Sequence, residues 1–143
     1  VLNYQPENIN KKLSVSGLEY LTQYSKIYGV RRELEKVNLK RVIEFAGLGT
    51  EIFKRLTELS KGNLQRLSLA RTFLNNPDLV FLDEPFSNID PGARGTIVNR
   101  LLEFKGEKTI LIASHHSDEI SRLCERIGNI SEGILSFAEP ELR

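Results

Sequence analysis

The sequence predicts an α/β protein in which a largely helical region, residues 14–76, precedes a region of alternating strands and helices, residues 77–143. Apolar residues recur at steps of three and four through the first region, which indicates amphipathic helices. Short, wholly apolar runs alternate with amphipathic segments in the second region, which indicates a parallel sheet with right-handed helical crossovers. We therefore expect a helical subdomain in front of half of an α/β core.

Four helical segments are predicted in the first region, and residues that stop helices separate them. Gly29 ends the first segment, Gly47 and Gly49 end the second, and the Asn-Asn-Pro run at residues 75–77 ends the fourth. The apolar positions that define the four segments are Leu18, Leu21, Tyr24, Ile27 and Tyr28; Leu34, Val37, Val42, Ile43 and Phe45; Ile52, Phe53, Leu56 and Leu59; and Leu64, Leu67, Ala70, Phe73 and Leu74.

Two strands are predicted in the second region, at residues 79–82 and 109–113. The first is wholly apolar, which is the pattern of a strand buried on both faces of a sheet. Between the strands, Asp90 and Pro91 combine an N-cap residue with a proline at the first helical position, so a helix is expected to begin there. Ser117 is predicted to cap a last helix that extends to Ile127, and a closing hairpin is expected around Gly133.

Composition limits the possible partners and compartments. The 143 residues are 27% charged and 40% apolar, with a net charge of +1. These values fit a globular protein and give no electrostatic reason to expect a nucleic acid or an anionic membrane as partner. The single cysteine, Cys124, excludes an intramolecular disulfide and is expected to be a small core residue. No apolar run approaches the length of roughly 18–20 residues that a membrane-spanning helix needs.

A candidate anion site precedes the fourth helical segment. Ser60 and Gly62 lie just before this helix, whose N-terminal N–H groups and dipole favour a negatively charged ligand. The Ser60 hydroxyl can donate to a phosphate, and Gly62 allows a close backbone approach. An ordinary serine cap followed by a loop glycine would give the same pattern.

Two carboxylates follow the first predicted strand, at the edge of an α/β sheet where ligands bind. Asp83 is placed to hold Mg²⁺, usually through water, because this cation prefers oxygen ligands. Glu84 is placed to orient or deprotonate a water that attacks a terminal phosphate. A solvated acidic pair or a helix cap is the alternative interpretation.

Polar residues also follow at two later points. In the run at residues 87–90, Asp90 as a helix cap would suffice to explain the pattern. Ser114, His115 and His116 follow the second strand, where a histidine can contact a phosphate or carry a proton. Since adjacent side chains in a strand-like loop diverge, we do not expect the two histidines to chelate a metal together.

The order of these motifs resembles the nucleotide-binding domain of ABC ATPases over essentially the whole chain. Residues 59–66 are similar to the signature loop, with Lys61 and Asn63 in place of residues of the commonest Leu-Ser-Gly-Gly-Gln form. Residues 79–84 resemble the Walker B strand with its catalytic glutamate, residues 87–90 the D-loop, and His115 the switch histidine. Residues 4–7, Tyr-Gln-Pro-Glu, resemble the Q-loop, with Glu7 at the functional position and Gln5 as the alternative; an extended loop without metal contact is the other possibility.

The resemblance implies a partial P-loop NTPase-type parallel sheet preceded by an ABC-type helical subdomain, divided into a Q-loop region (1–13), a helical subdomain with signature helix (14–76) and the C-terminal half of the core (77–143). It implies ATP and Mg²⁺ as ligands, with Glu84 and His115 as catalytic residues and Asp83 at the metal. The residues implied to contact ATP are Ser60, Lys61, Gly62, Asn63, Asp90 and Glu7. The implied partners are a second nucleotide-binding domain, arranged head to tail, and transmembrane permease subunits at the cytoplasmic face of a membrane. A soluble ABC-type ATPase unconnected to transport and a non-catalytic interaction fragment are the alternatives.

One motif of such domains is missing from these 143 residues. No Gly-x-x-x-x-Gly-Lys-Ser/Thr sequence, the Walker A loop that cradles the β- and γ-phosphates, occurs in the chain. The chain also begins without a methionine. We therefore expect a truncated domain that binds ATP poorly and is inactive in isolation, with apolar faces of its remaining strands uncovered.

Overall fold

The structure is a computed structural model that describes residues 2–5 and 14–137. Glu7 lies outside these residues. The strands are β1 (Leu2–Gln5), β2 (Leu79–Asp83), β3 (Thr109–Ala113), β4 (Gly128–Ser131) and β5 (Ile134–Phe137), and the helices are α1 (Gly17–Ile27), α2 (Arg32–Ala46), α3 (Lys61–Thr72), α4 (Pro91–Leu102) and α5 (Ser117–Leu123). Two short 3₁₀ turns, Gly49–Phe53 and Leu56–Glu58, connect α2 to α3. None of the described helices has both the length and the apolar character needed to cross a membrane.

The predicted parallel sheet is confirmed. Its strand order is β1-β2-β3, with Leu2 opposite Leu79 and Asp83 opposite Ala113. All three strands run in the same direction, so their carboxyl ends lie at one edge. The hairpin predicted around Gly133 is formed by β4 and β5, which pair with each other as a separate antiparallel sheet.

The two faces of the parallel sheet differ in burial. Val80 and Leu82 of β2 are buried in the core that α3 and α4 share, whereas Leu2 and Tyr4 of β1 and Leu111 of β3 are each more than half exposed. Leu79 and Phe81, which lie on the other face of β2 from Val80 and Leu82, are only half-buried. The prediction that the first apolar run is buried on both faces was therefore wrong for the described residues, because their helices cover only one face of the sheet. The expectation of uncovered apolar sheet surface is confirmed by the same side chains.

Helix α3 connects the helical region to the sheet. Its side chains from Leu67 to Thr72 are all buried, and it packs against both α2 and β1. Arg71 extends from α3 to α1, where it donates a 2.7 Å hydrogen bond to the Tyr20 hydroxyl and lies over the ring of Tyr24. Burial beside this cluster raises the pKa of Tyr20 well above its usual value, so the phenol stays neutral.

The C-terminal end of α2 is held by arginines from two other helices. Gly47 ends α2 in the left-handed conformation, as predicted, and the last turn of α2 contains no basic residue. Arg66 of α3 donates to the carbonyl of Ala46 at 2.9 Å, and Arg100 of α4 donates to the carbonyl of Phe45. These charges satisfy free carbonyl groups and oppose the negative end of the helix dipole, so α2, α3 and α4 are joined at one point.

The last helix is shorter than predicted. Helix α5 ends at Leu123, with Cys124 as its C-cap, and so does not reach Ile127. Its N-cap is His116 rather than Ser117, and no side chain caps it. The apolar spacing that suggested a longer helix thus continues through residues 124–127, which are not helical, because the backbone leaves the helical conformation at Cys124.

Candidate functional site

The backbone of Glu84 has an unusual conformation at the end of β2. Its φ angle is +46°, in the left-handed region that costs a non-glycine residue about 1–2 kcal/mol. Three hydrogen bonds hold it there. The Glu84 N–H donates to the Ala113 carbonyl at 2.8 Å, and the Glu84 carbonyl accepts from the Ser87 N–H at 3.1 Å and from Nε2 of Gln65 at 2.9 Å. Strain of this kind is characteristic of functional sites.

The carboxylate of Glu84 contacts the residues that follow β3. His115 Nδ1 lies 2.8 Å from Glu84 Oε1, and the Ser114 hydroxyl donates to Oε2 at 3.4 Å. The side chain of His115 is 72% exposed, so a ligand can reach it. The structure thus brings together Glu84 and His115, two residues that are 31 positions apart in the chain. We call Asp83, Glu84, Ser114 and His115 the strand-end cluster.

Asp83 is the other carboxylate of this cluster. It is the last residue of β2, and the Tyr4 hydroxyl donates to its Oδ2 at 3.3 Å across the neighbouring strand. Carboxylate oxygens are the donors that Mg²⁺ prefers, and this cation is commonly held with several of its waters retained. The predicted role of Asp83 therefore fits its chemistry and its place at the carboxyl end of the sheet.

The two histidines do not diverge as the sequence argument expected. The rings of His115 and His116 have centroids 4.3 Å apart, and one ligand atom from each lies within 4.8 Å of the Glu84 carboxylate. This proximity arises because the chain turns into α5 at this point, so the residues are not in extended backbone. Arg94 places a guanidinium nitrogen 3.3 Å from His116 Nδ1 and pairs with Glu119 at 3.7 Å, so His116 lies beside a cation that is already neutralised in part.

The candidate residues implied to contact ATP, other than Glu7, line a separate pocket at the start of α3. Its volume is about 350 Å³, and the residues around it are Ser60, Lys61, Gly62, Asn63, Arg66, Asn88, Ile89 and Asp90. The pocket thus brings together the candidates of the signature-like loop and Asp90, but none of the strand-end cluster. We call it the helix-start pocket.

Ser60 and Asp90 both cap helices, which is the alternative role that the sequence allowed for each. The Ser60 hydroxyl oxygen accepts from the Asn63 N–H at 3.1 Å, and Asp90 Oδ1 accepts from the Ala93 N–H at 3.0 Å. A serine hydroxyl that accepts a bond still has its own hydrogen to donate. Ser60 can therefore cap α3 and bind an anion at the same time, next to the positive end of the helix dipole.

Gly62 is required by the neighbouring loop. A Cβ added at this position would lie 2.6 Å from the carbonyl oxygen of Asn88, closer than real Cβ contacts. Asn88 itself has a φ angle of +60°, a conformation that asparagine tolerates better than most residues. Gly62 was predicted to allow a ligand to approach the backbone closely. Among the described residues, its close contact is instead with the Asn88 carbonyl of the same chain.

Gln5 does not lie where the alternative Q-loop assignment needs it. Its side chain is fully buried, and neither amide atom has a hydrogen-bond partner among the residues that the structure describes. Since side chains alternate along a strand, Gln5 is on the opposite face of β1 from Tyr4, which contacts Asp83. In this conformation Gln5 is therefore not directed toward the carboxylate at the end of β2, and the assignment to Glu7 stays a prediction.

Two residues of the site were missed by the motif analysis. Gln65, which holds the Glu84 carbonyl, and Arg94, which lies beside His116, each contact the site through tertiary structure. Gln65 sits on a helix whose buried positions are almost continuous, so the sequence pattern did not distinguish it. A buried glutamine must find hydrogen-bond partners, and that requirement was the available signal.

The chain is similar to proteins of one family. Residues 3–87 match the family described as ABC transporter. The chain is 37% identical over 137 residues to the Nod factor export ATP-binding protein I of Rhizobium etli, an alignment that covers 94% of this chain and 42% of that protein. The chain therefore spans less than half the length of the curated relatives it matches.

Two solved structures share the fold. An ATP-binding subunit of an ABC transporter has a TM-score of 0.79 at 24% identity, covering 95% of this chain and 58% of that chain. The structure of RNase-L Inhibitor has a TM-score of 0.71 at 23% identity, covering 93% of this chain and 26% of that one. The family match extends over more than half of the chain and includes most of β1, all of α3 and the strand-end glutamate. The chain belongs to the ABC transporter family of ATP-binding proteins.

Proposed function

We propose that this chain is the C-terminal part of the nucleotide-binding domain of an ABC transporter and that it contributes to ATP hydrolysis in a head-to-tail dimer of such domains. The observation that carries the proposal is the 2.8 Å contact between Glu84 and His115 at the carboxyl end of the sheet. Family membership supports ATP as the substrate. The Walker A loop, which these residues lack, would come from the rest of the full-length protein.

In this proposal the strand-end cluster acts on ATP held by the same subunit. Glu84 orients and deprotonates the attacking water, since its carboxylate is partly accessible and accepts a bond from Ser114. His115 contacts the terminal phosphate and is oriented by Glu84. Asp83 would hold Mg²⁺ through water, and the ion when bound supplies charge neutralisation at the phosphates.

The helix-start pocket then acts on ATP held by the opposite domain. Ser60 has a hydroxyl hydrogen that can donate to a phosphate oxygen, and Lys61 adds a positive charge at the start of α3. Gly62, Asn63 and Asp90 complete this surface. The separation of the pocket from the strand-end cluster supports the division, because a site in one chain would need both groups at one phosphate. Glu7 is proposed as the Q-loop residue.

The proposed role of the dimer is to drive transport. ATP binding closes the two domains, hydrolysis with product release opens them, and the helical subdomain passes the motion to transmembrane permease subunits. The relative from Rhizobium etli is named an export ATP-binding protein, which supports a transport system over a soluble ATPase. The proposed location is the cytoplasmic face of a membrane, with residues 1–13 as the Q-loop region, 14–76 as the helical subdomain with signature helix and 77–143 as the core half.

The test is Glu84→Gln in the full-length subunit. The amide keeps the size of the side chain but cannot accept a proton, so kcat for ATP should fall by a factor of about 100 or more. Binding of ATP, measured by equilibrium dialysis, should be unchanged. Glu132→Gln is the matched control, because Glu132 also has a positive φ angle but lies in the hairpin turn. Wild-type turnover of Glu84→Gln would remove Glu84 from the catalytic role.

A further inference from the structure

Gln65 connects the two groups of candidate residues. It lies on α3, five positions after Ser60, and its side chain is only 4% exposed. Its Nε2 donates to the carbonyl oxygen of Glu84 at 2.9 Å. Ser60, at the start of the helix-start pocket, and Glu84 are thus connected by helix α3 and the side chain of Gln65.

The contact matters because of the backbone conformation of Glu84. The Glu84 N–H donates one hydrogen bond to the Ala113 carbonyl at the end of β3, and the Glu84 carbonyl accepts one from the Ser87 N–H in the following turn. The bond from Gln65 is the one made by a side chain, and it comes from a helix of the other region. Without it the Glu84 peptide could relax out of the left-handed conformation, which is strained for a non-glycine residue. Such a rotation would carry the carboxylate away from His115.

We propose that Gln65 is a positioning residue that fixes the Glu84 carbonyl and so keeps the carboxylate aimed at the attacking water. The proposal rests on the catalytic role proposed for Glu84. Helix α3 is buried along most of its length, so the backbone that carries Gln65 is held in place by packing.

The experiment is Gln65→Met in the full-length subunit, assayed for steady-state ATP hydrolysis. Methionine matches the length of glutamine but has no donor for the Glu84 carbonyl. Misplacing a catalytic group without removing it lowers the chemical step, so kcat should fall by about tenfold or more. The KM for ATP should stay within about twofold, because Gln65 does not contact the nucleotide in the proposed arrangement.

Thr72→Val is the matched control. Thr72 is fully buried on the same helix, and its hydroxyl donates to the Ser68 carbonyl at 3.0 Å. Like Gln65→Met, this change removes one buried hydrogen bond from α3, but it leaves the bond to Glu84 intact. Thr72→Val should lower the melting temperature by an amount similar to that of Gln65→Met while its kcat stays that of the wild type.

Each outcome either supports or overturns the positioning role of Gln65. A loss of kcat in Gln65→Met but not in Thr72→Val supports the proposal, whereas wild-type kcat in Gln65→Met, or equal losses in both variants, overturns it. If Gln65→Met does not fold, Gln65→Asn replaces it, since asparagine keeps an amide that is one methylene too short to reach Glu84. Failure of the proposed function is distinguishable, because Glu84→Gln would then retain turnover whatever Gln65→Met does.

Discussion

The helix-start pocket and the strand-end cluster use their polar residues differently. In the pocket, Ser60 and Asp90 each accept a hydrogen bond from the backbone at the start of a helix. Any protein with these two helices would gain from such caps. In the strand-end cluster, Glu84 and His115 contact each other, and no helix begins at either residue.

This difference shows which observations point to function. Helix capping alone is enough to explain Ser60 and Asp90. Their role with a ligand therefore depends on the family comparison and on the hydroxyl hydrogen that Ser60 can still donate. The left-handed backbone of Glu84 is not explained in that way, because it opposes folding and needs three hydrogen bonds to persist. A strained backbone conformation that hydrogen bonds hold in place is a better indicator of a functional site than a motif that a helix cap could explain.

The largest effect on stability is expected at the contact between the pocket loops. In Gly62→Ala the new Cβ would meet the Asn88 carbonyl oxygen at 2.6 Å, and this atom belongs to the backbone. The loops must therefore separate, which should lower the free energy of unfolding by about 1–3 kcal/mol, measured by urea denaturation of the full-length subunit. Gly95→Ala in α4 is the control, because nothing lies within 4 Å of its added Cβ.

The control should change stability in the opposite direction. Gly95 lies inside α4, where alanine is favoured over glycine by about 1 kcal/mol, so Gly95→Ala should stabilise the subunit. If Gly62→Ala is as stable as the wild type, the two loops can separate freely and the pocket is not fixed by the fold. Folding would then not explain the glycine at position 62.

Much of the fold could be predicted because it depends on local signals. Asp90 with Pro91 identified the start of α4, and the apolar run at residues 109–113 matches β3 in full. Local signals failed at Ser117, which does not cap α5, and at Ile127, which continues an apolar spacing after the helix has ended. A spacing of three or four residues is compatible with helix but does not require it.

The site was predicted by residue type but not by contact. Motif order placed Glu84 and His115 at strand ends, and a parallel sheet brings those ends to one edge. The clash that requires Gly62 and the bond from Gln65 depend on how α3 packs against the residues after β2. Such packing joins positions about 20 or more residues apart, and no local pattern encodes it.

An intermediate effect is expected at the cap of α4. Asp90→Ala removes the acceptor for the Ala93 N–H and should lower the free energy of unfolding by about 1 kcal/mol. Asp90→Asn keeps an oxygen acceptor and should be close to the wild type in stability. If Asp90 also serves the nucleotide through its charge, Asp90→Asn should still lower ATP turnover. Equal stability of Asp90→Ala and the wild type would show that the cap contributes nothing there.

The smallest effect is expected from relieving the backbone strain at Glu84. This change tests most directly whether the strand-end cluster, unlike the helix-start pocket, contains a conformation that opposes folding. Glycine adopts a φ angle of +46° without the penalty that alanine meets, but it loses more entropy on folding, so the two terms partly cancel. Glu84→Gly should therefore be more stable than Glu84→Ala by about 0.5–1 kcal/mol in urea denaturation, although both variants should lack turnover. The comparison with alanine removes the contribution of the carboxylate. If Glu84→Ala is the more stable of the two, the backbone is not strained in solution, and the distinction drawn between the strand-end cluster and the helix-start pocket fails.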